Sequence, residues 1–147
     1  MIHEVSAKLS WGDLWSVLEA ADTFDAILNV GRPTKDFPLP GIEYKLKWFE
    51  DHDPYPCADI WECVLWIDAK ISDGKSVYVH CEQGNSRSVS TIIAYLHYKG
   101  MSFKDACDLA VKIKPYYSGA GKFGDLPLSI RPWFERDWPT YLEEKLQ

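Results

Sequence analysis

Between Ser76 and Ser88 the chain passes from a β-branched stretch, SVYVH, through a tight turn with a glycine inside it. It then enters a segment whose apolar residues Val89, Ile92, Ile93 and Leu96 recur at helical spacing. A short buried strand that leads directly into a helix is half of a β/α unit, and such units build parallel sheets covered by helices. Other segments agree. Phe24 to Val30 (FDAILNV) has the length and apolarity of a buried strand and ends at Gly31-Arg32-Pro33. Ile42, Tyr44, Leu46 and Trp48 alternate with Glu43, Lys45 and Lys47, which predicts a strand with one buried face and one wet face.

Helical spacing fills the intervals. Ser10 and Asp13 form a capping-box-like start, followed by Leu14, Val17, Leu18 and Ala21 on one stripe. Ile60, Cys63, Val64, Ile67 and Ile71 mark a second helix, closed by Ser72-Asp73-Gly74. Gly100 suits the C-terminal cap of the helix after the junction, and Ser102 with Asp105 opens another that carries Ala106, Leu109, Ala110 and Ile113 inward. Residues 115–127 read as a Gly/Pro-rich loop, and Trp133, Phe134, Trp138 and Tyr141 as a last helix packing aromatics onto the body. The expectation is one α/β domain over residues 1–147, a central and largely parallel sheet flanked by helices.

Composition narrows the class of function. Sixteen Lys plus Arg against 22 Asp plus Glu gives a formal charge of −6, which disfavours nonspecific binding to nucleic acid or to a membrane surface. No apolar run approaches the roughly 18 residues of a membrane span, and Met1-Ile2-His3-Glu4 lacks the start of a secretion signal. Cys57, Cys63, Cys81 and Cys107 show neither CxxC spacing nor the density of a disulfide framework, so reduced thiols and a cytoplasmic location are expected. His3, His52 and His97 have no metal-ligand spacing, and neither a metal nor another cofactor is implied.

The chemistry concentrates at the junction. Cys81 follows the strand, and Glu82, Gln83, Gly84, Asn85 and Ser86 lead to Arg87 and Ser88 at the start of the helix. Successive backbone N–H groups and the positive helix end converge there on one point, a ready anion site. Gly84 permits a backbone curl around the anion, and Arg87 offers a planar fork to two phosphate oxygens. The same field favours the Cys81 thiolate. A nucleophile at the floor of an anion cradle suits phosphoryl transfer through a thiophosphate.

This stretch, His80 to Ser88, resembles the signature HCxxGxxR followed by Ser or Thr of the cysteine-dependent dual-specificity protein phosphatases, within the protein tyrosine phosphatase superfamily. The likeness covers roughly residues 20 to 115, including Ser86 to Pro115 and the two earlier strands. It implies a nucleophile at Cys81, a phosphate clamp at Arg87, a hydrogen bond from Ser88 to the sulfur, and a brace behind the loop at His80. The family's general acid is an Asp on a loop some thirty residues before the Cys. Asp51 and Asp53 both meet that spacing; Asp51 is the first choice, because the acid loop of lipid-type members has its Asp before a His, and Asp53 is the alternative.

The resemblance therefore implies hydrolysis of phosphotyrosine and phosphoserine/threonine on proteins, by a chain for which a monomer is favoured. Glu82, Gln83 and Asn85 bring no cation into the cradle, which argues against a phosphoinositide or an RNA 5′-triphosphate. A phosphoinositide or RNA 5′-phosphatase of the same fold, and a non-catalytic phosphate-binding module, are the alternatives. Low-molecular-weight tyrosine phosphatases carry the motif near the N-terminus, and rhodanese-like cell-cycle phosphatases lack the mid-turn glycine. Cys57, Cys63 and Cys107 read as packing residues, and Tyr116 and Tyr117 as candidate pocket walls.

Overall fold

The structure is a computed structural model that describes residues 1–34, 40–51, 54–82, 86–114 and 133–147. Its strands are β1 (Ile2–Ser6), β2 (Leu9–Gly12), β3 (Ala26–Asn29), β4 (Glu43–Leu46) and β5 (Val77–His80). They form one sheet in the order β1-β2-β5-β3-β4. The β1–β2 pair is antiparallel, and the other three pairs are parallel. The described residues also form the helices α1 (Val17–Thr23), α2 (Cys57–Ser72), α3 (Arg87–Tyr98), α4 (Phe103–Ile113) and α5 (Trp138–Lys145), the last entered through a π-helical turn over Trp133–Asp137. The mostly parallel sheet flanked by helices is the architecture expected from the alternation of periods.

Strand period two divides the interior between the faces of the sheet. Ala26, Leu28, Val77 and Val79 point into the larger core with Ile60, Ile67, Ile92, Ile93, Ala110, Trp133 and Trp138. Ile27 and Tyr78 point the other way, onto Val17 and Ala20 of α1. β5, the strand that leads to Cys81, is thus central and buried on both sides. The helix ends follow their local signals. Gly74 after α2 and Gly100 after α3 both have positive φ, and Ser102 caps α4 by accepting from the Asp105 N–H at 3.1 Å.

The first 23 residues differ from the reading. Ser10 lies in β2 and caps nothing; Asp13 caps a 3-10 turn, Leu14–Ser16, by accepting from the Ser16 N–H at 2.8 Å. The buried face of α1 is Val17 and Ala20, while Leu18 is 66% exposed. The turn ahead of the helix shifts its phase relative to a stripe counted from Leu14. In β4 the alternation is real, but the faces behave differently from expectation. Lys45 and Lys47 pair with Glu62 of α2, and Glu43 with Lys70 and Lys75, so the charged side is covered by ion pairs. Tyr44 joins the smaller core, whereas Leu46 and Trp48 stay exposed because β4 is an edge strand. The expected loop over 115–127, with Tyr116 and Tyr117, lies outside the described residues, as does the side chain of Phe134.

Candidate active site

Strand β5 ends at the C-terminal edge of the parallel sheet, the edge where α/β folds place their sites. His80 is its last residue. Its ring is fully buried, with Nδ1 2.9 Å from the Cys81 carbonyl oxygen. Burial lowers its pKa, so the neutral ring carries its proton on Nδ1 and donates to that carbonyl. A brace at His80, as expected from the resemblance, would act through this hydrogen bond at the start of the turn.

Cys81 is 4% exposed, and its Sγ lies 3.3 Å from the hydroxyl of Ser88, itself fully buried in the first turn of α3. When the sulfur is a thiolate, that hydroxyl donates to it. Glu82 is pinned on its other side, where its carbonyl accepts from the Leu14 N–H at 2.8 Å. The loop after β3 also closes on Cys81. Val30 N–H donates to His80 O at 2.9 Å, and Asn29 Oδ1 accepts from Gly31 N–H at 2.8 Å. The amide nitrogen of Asn29 donates to Arg32 O and to the Tyr44 hydroxyl.

Arg87 opens α3 and is 7% exposed. Its Nη1 donates to the Phe49 carbonyl at 3.1 Å, which ties the segment before α2 to the junction. Among the described residues, no carboxylate pairs with Arg87, and its buried Nε has no partner. A buried guanidinium with an unsatisfied donor is costly unless an anion completes it. Lys114, half-buried at the end of α4, is close enough to feel Cys81 and Asp13. Burial lowers its pKa, and its interactions with Cys81 and Asp13 oppose that.

Asp51 is brought to the same place, because Ser86 Oγ donates to its Oδ1 at 2.7 Å across 35 residues of sequence. The structure thus gathers Cys81, Ser86, Arg87, Ser88 and Asp51 at one end of the sheet. Asp53 and three turn residues, Gln83, Gly84 and Asn85, lie outside the described residues. A cavity of about 150 Å3 beside the sulfur is lined by Leu14, Arg32, Pro33, Thr34, Cys81 and Glu82. Sequence reasoning missed Leu14, Arg32, Thr34 and Lys114, along with Tyr55, whose hydroxyl also donates to Asp51 Oδ1 at 2.7 Å. The one signal for Tyr55 was an aromatic residue set between two prolines close to an acid.

Comparison with known proteins places the chain in a family. Residues 12–121 match the family described as dual specificity phosphatase, catalytic domain, and the chain belongs to that family. It is similar to the tyrosine-protein phosphatase MSG5 of Saccharomyces cerevisiae, 34% identical over 96 residues that cover 60% of this chain and 20% of that protein. Dual specificity protein phosphatase 9 of Homo sapiens is 34% identical over 90 residues, covering 52% of this chain and 23% of the relative. The chain thus spans less than a quarter of the length of either. The fold is shared with human DUSP28, at a TM-score of 0.77 and 19% identity over 99% of this chain and 95% of that one. It is shared equally with PTPMT1, at 0.76 and 18% over 99% and 98%.

Proposed function

We propose that this chain is a cysteine-dependent phosphatase that hydrolyses phosphotyrosine and phosphoserine/threonine esters on proteins through a cysteinyl-phosphate. The observation that carries the reading is Arg87, buried one residue before the serine that meets the Cys81 sulfur, with no carboxylate partner among the described residues and an Nε donor left for an anion. In this reading a phosphate dianion binds against Arg87 and the N-terminus of α3. The Cys81 thiolate attacks phosphorus, the bond to the ester oxygen breaks, and Asp51 delivers a proton to that oxygen. Water then attacks the thiophosphate, Asp51 takes its proton, and the sulfur leaves as a thiolate accepting from Ser88.

The family and the names of its relatives support a phosphoprotein substrate. So does the turn sequence from Glu82 to Ser86, which brings no cation between Cys81 and Arg87 for a polyanionic head group. A cytoplasmic site of action is supported by four free cysteines. The test is hydrolysis of a tyrosine-phosphorylated and a threonine-phosphorylated peptide by wild type and Cys81→Ser. Wild type should release phosphate from both and the variant from neither. Equal rates from the two proteins would remove Cys81 as nucleophile, and turnover of phosphoinositides alone would overturn the substrate class.

A further inference from the structure

Ser86 occupies the N-cap position of α3, where a serine ordinarily accepts a hydrogen bond from the first turn of its own helix. Here it makes no such bond. Its hydroxyl reaches away from the helix to Asp51 Oδ1 at 2.7 Å. A second hydroxyl meets the same oxygen, for Tyr55 Oη also donates to Asp51 Oδ1 at 2.7 Å.

Tyr55 is a rigid platform for that bond. It is 2% exposed, and its ring packs edge-on against Phe49 at 5.2 Å and against Trp133 at 5.5 Å. Burial, followed by the hydrogen bond to Asp51, raises its phenol pKa well above the ordinary value, so it acts as a donor throughout the physiological range. Phe49 itself is fixed by Arg87, which holds its carbonyl at 3.1 Å. The acid-bearing segment is therefore held from both sides, by the helix that follows the nucleophile and by an aromatic wall.

Both donors enter one carboxyl oxygen, and that has a chemical consequence. In a neutral carboxyl group one oxygen is a carbonyl acceptor and the other carries the proton. Two hydroxyl donors on Oδ1 make it the carbonyl. We propose that Tyr55 and Ser86 are positioning residues that fix the transferable proton of Asp51 on Oδ2 and aim it at the ester oxygen. This rests on the proposed reading of Asp51 as general acid. When the P–O bond breaks, the Oδ2 proton passes to the departing oxygen and Asp51 becomes a carboxylate. Tyr55 and Ser86 keep their own protons, and water later returns one to Oδ2.

A positioning role predicts selectivity for the leaving group. 4-Nitrophenoxide departs with little help, whereas unsubstituted phenoxide needs the acid. The experiment compares kcat/KM, which reports P–O cleavage, for 4-nitrophenyl phosphate and phenyl phosphate in wild type, Asp51→Asn, Tyr55→Phe and Ser86→Ala. Tyr55→Phe keeps the ring contacts and should lose roughly 10- to 100-fold on phenyl phosphate with a several-fold smaller loss on the nitro compound. Ser86→Ala should show the same bias, and it decides the matter if Tyr55→Phe does not fold. Leaving-group bias in Asp51→Asn with equal losses on both substrates in Tyr55→Phe and Ser86→Ala overturns the positioning role and leaves the acid in place. No bias in Asp51→Asn overturns the acid itself, and the positioning role with it.

Discussion

Gly31 lies flat against the backbone of Cys81. A Cβ added at Gly31 would sit 3.1 Å from Cys81 Cα and 3.2 Å from its carbonyl carbon. These are backbone atoms with nowhere to go, since the Val30-to-His80 hydrogen bond locks the two strands together there. Gly31→Ala should therefore push the backbone of Cys81, the proposed nucleophile, rather than a side chain. The expected result is a loss of about tenfold or more in kcat/KM with a stability cost of about 1–3 kcal/mol. Kinetics and a denaturant melt measure both, and full activity in the variant would show that the junction tolerates the shift.

Ser88 sits where it can affect one half of the reaction. Its hydroxyl is 3.3 Å from the sulfur, which in the proposed mechanism is the group that leaves when the thiophosphate is hydrolysed. Ser88→Ala should lower kcat by roughly 10- to 100-fold while kcat/KM for 4-nitrophenyl phosphate changes little. Rapid mixing should then reveal a burst of nitrophenol matching the enzyme concentration. A linear time course with both constants reduced together would place Ser88 in the first step.

The four thiols should separate under alkylation. Cys63 and Cys107 are fully buried, and burial pushes the Cys63 thiol up to about 12 and raises that of Cys57 as well. Brief iodoacetamide treatment at neutral pH should label Cys81 at least roughly tenfold faster than any other cysteine. Inorganic phosphate should protect it. Peptide mass spectrometry reads the sites, and labelling led by Cys57 with no protection by phosphate would contradict this ordering.

Acid should weaken the fold before its carboxylates protonate. Burial, then Lys114, lowers the pKa of His3 from 6.5 to about 4, and burial also lowers those of His80 and His97. Between these values the unfolded chain binds protons that the folded chain refuses, so stability falls as pH drops from about 6.5 towards 4. Asp13 and Asp25 have lowered pKa values and extend the loss to more acid pH with the same sign. The midpoint of thermal unfolding should be lower at pH 5 than at pH 7, and His3→Gln should flatten the slope. A midpoint that rises on acidification would contradict the assignment.

What could be read in advance divides by range of interaction. β5, α3 and α4 announce themselves because their signals are local: β-branched residues, helical spacing, a serine cap and a glycine stop. The grouping of Cys81, Arg87 and Ser88 was legible because the three lie within eight residues of sequence. β1 and β2 were not, since Leu9–Gly12 is buried at every position and shows no alternation to detect. The exposure of Leu18 depends on where the 3-10 turn ends, which spacing alone does not encode. Leu14, Arg32 and Thr34 come to line one cavity with Cys81 only through tertiary structure, and Tyr55 gains meaning only once Asp51 and Ser86 meet across 35 residues.

The parallel pairing of β2 with β5, Leu9 to Val77 through Gly12 to His80, bears on how the domain should be cut. The family match begins at residue 12 and ends at residue 121. A protein trimmed to those limits would lose β1, most of β2, and the Trp133, Trp138 and Leu142 anchors of the core. β5, the strand that leads to Cys81, would become a sheet margin, its amides and carbonyls open to pairing with another molecule. Such a fragment should form insoluble aggregates on expression, although it contains every residue of the signature.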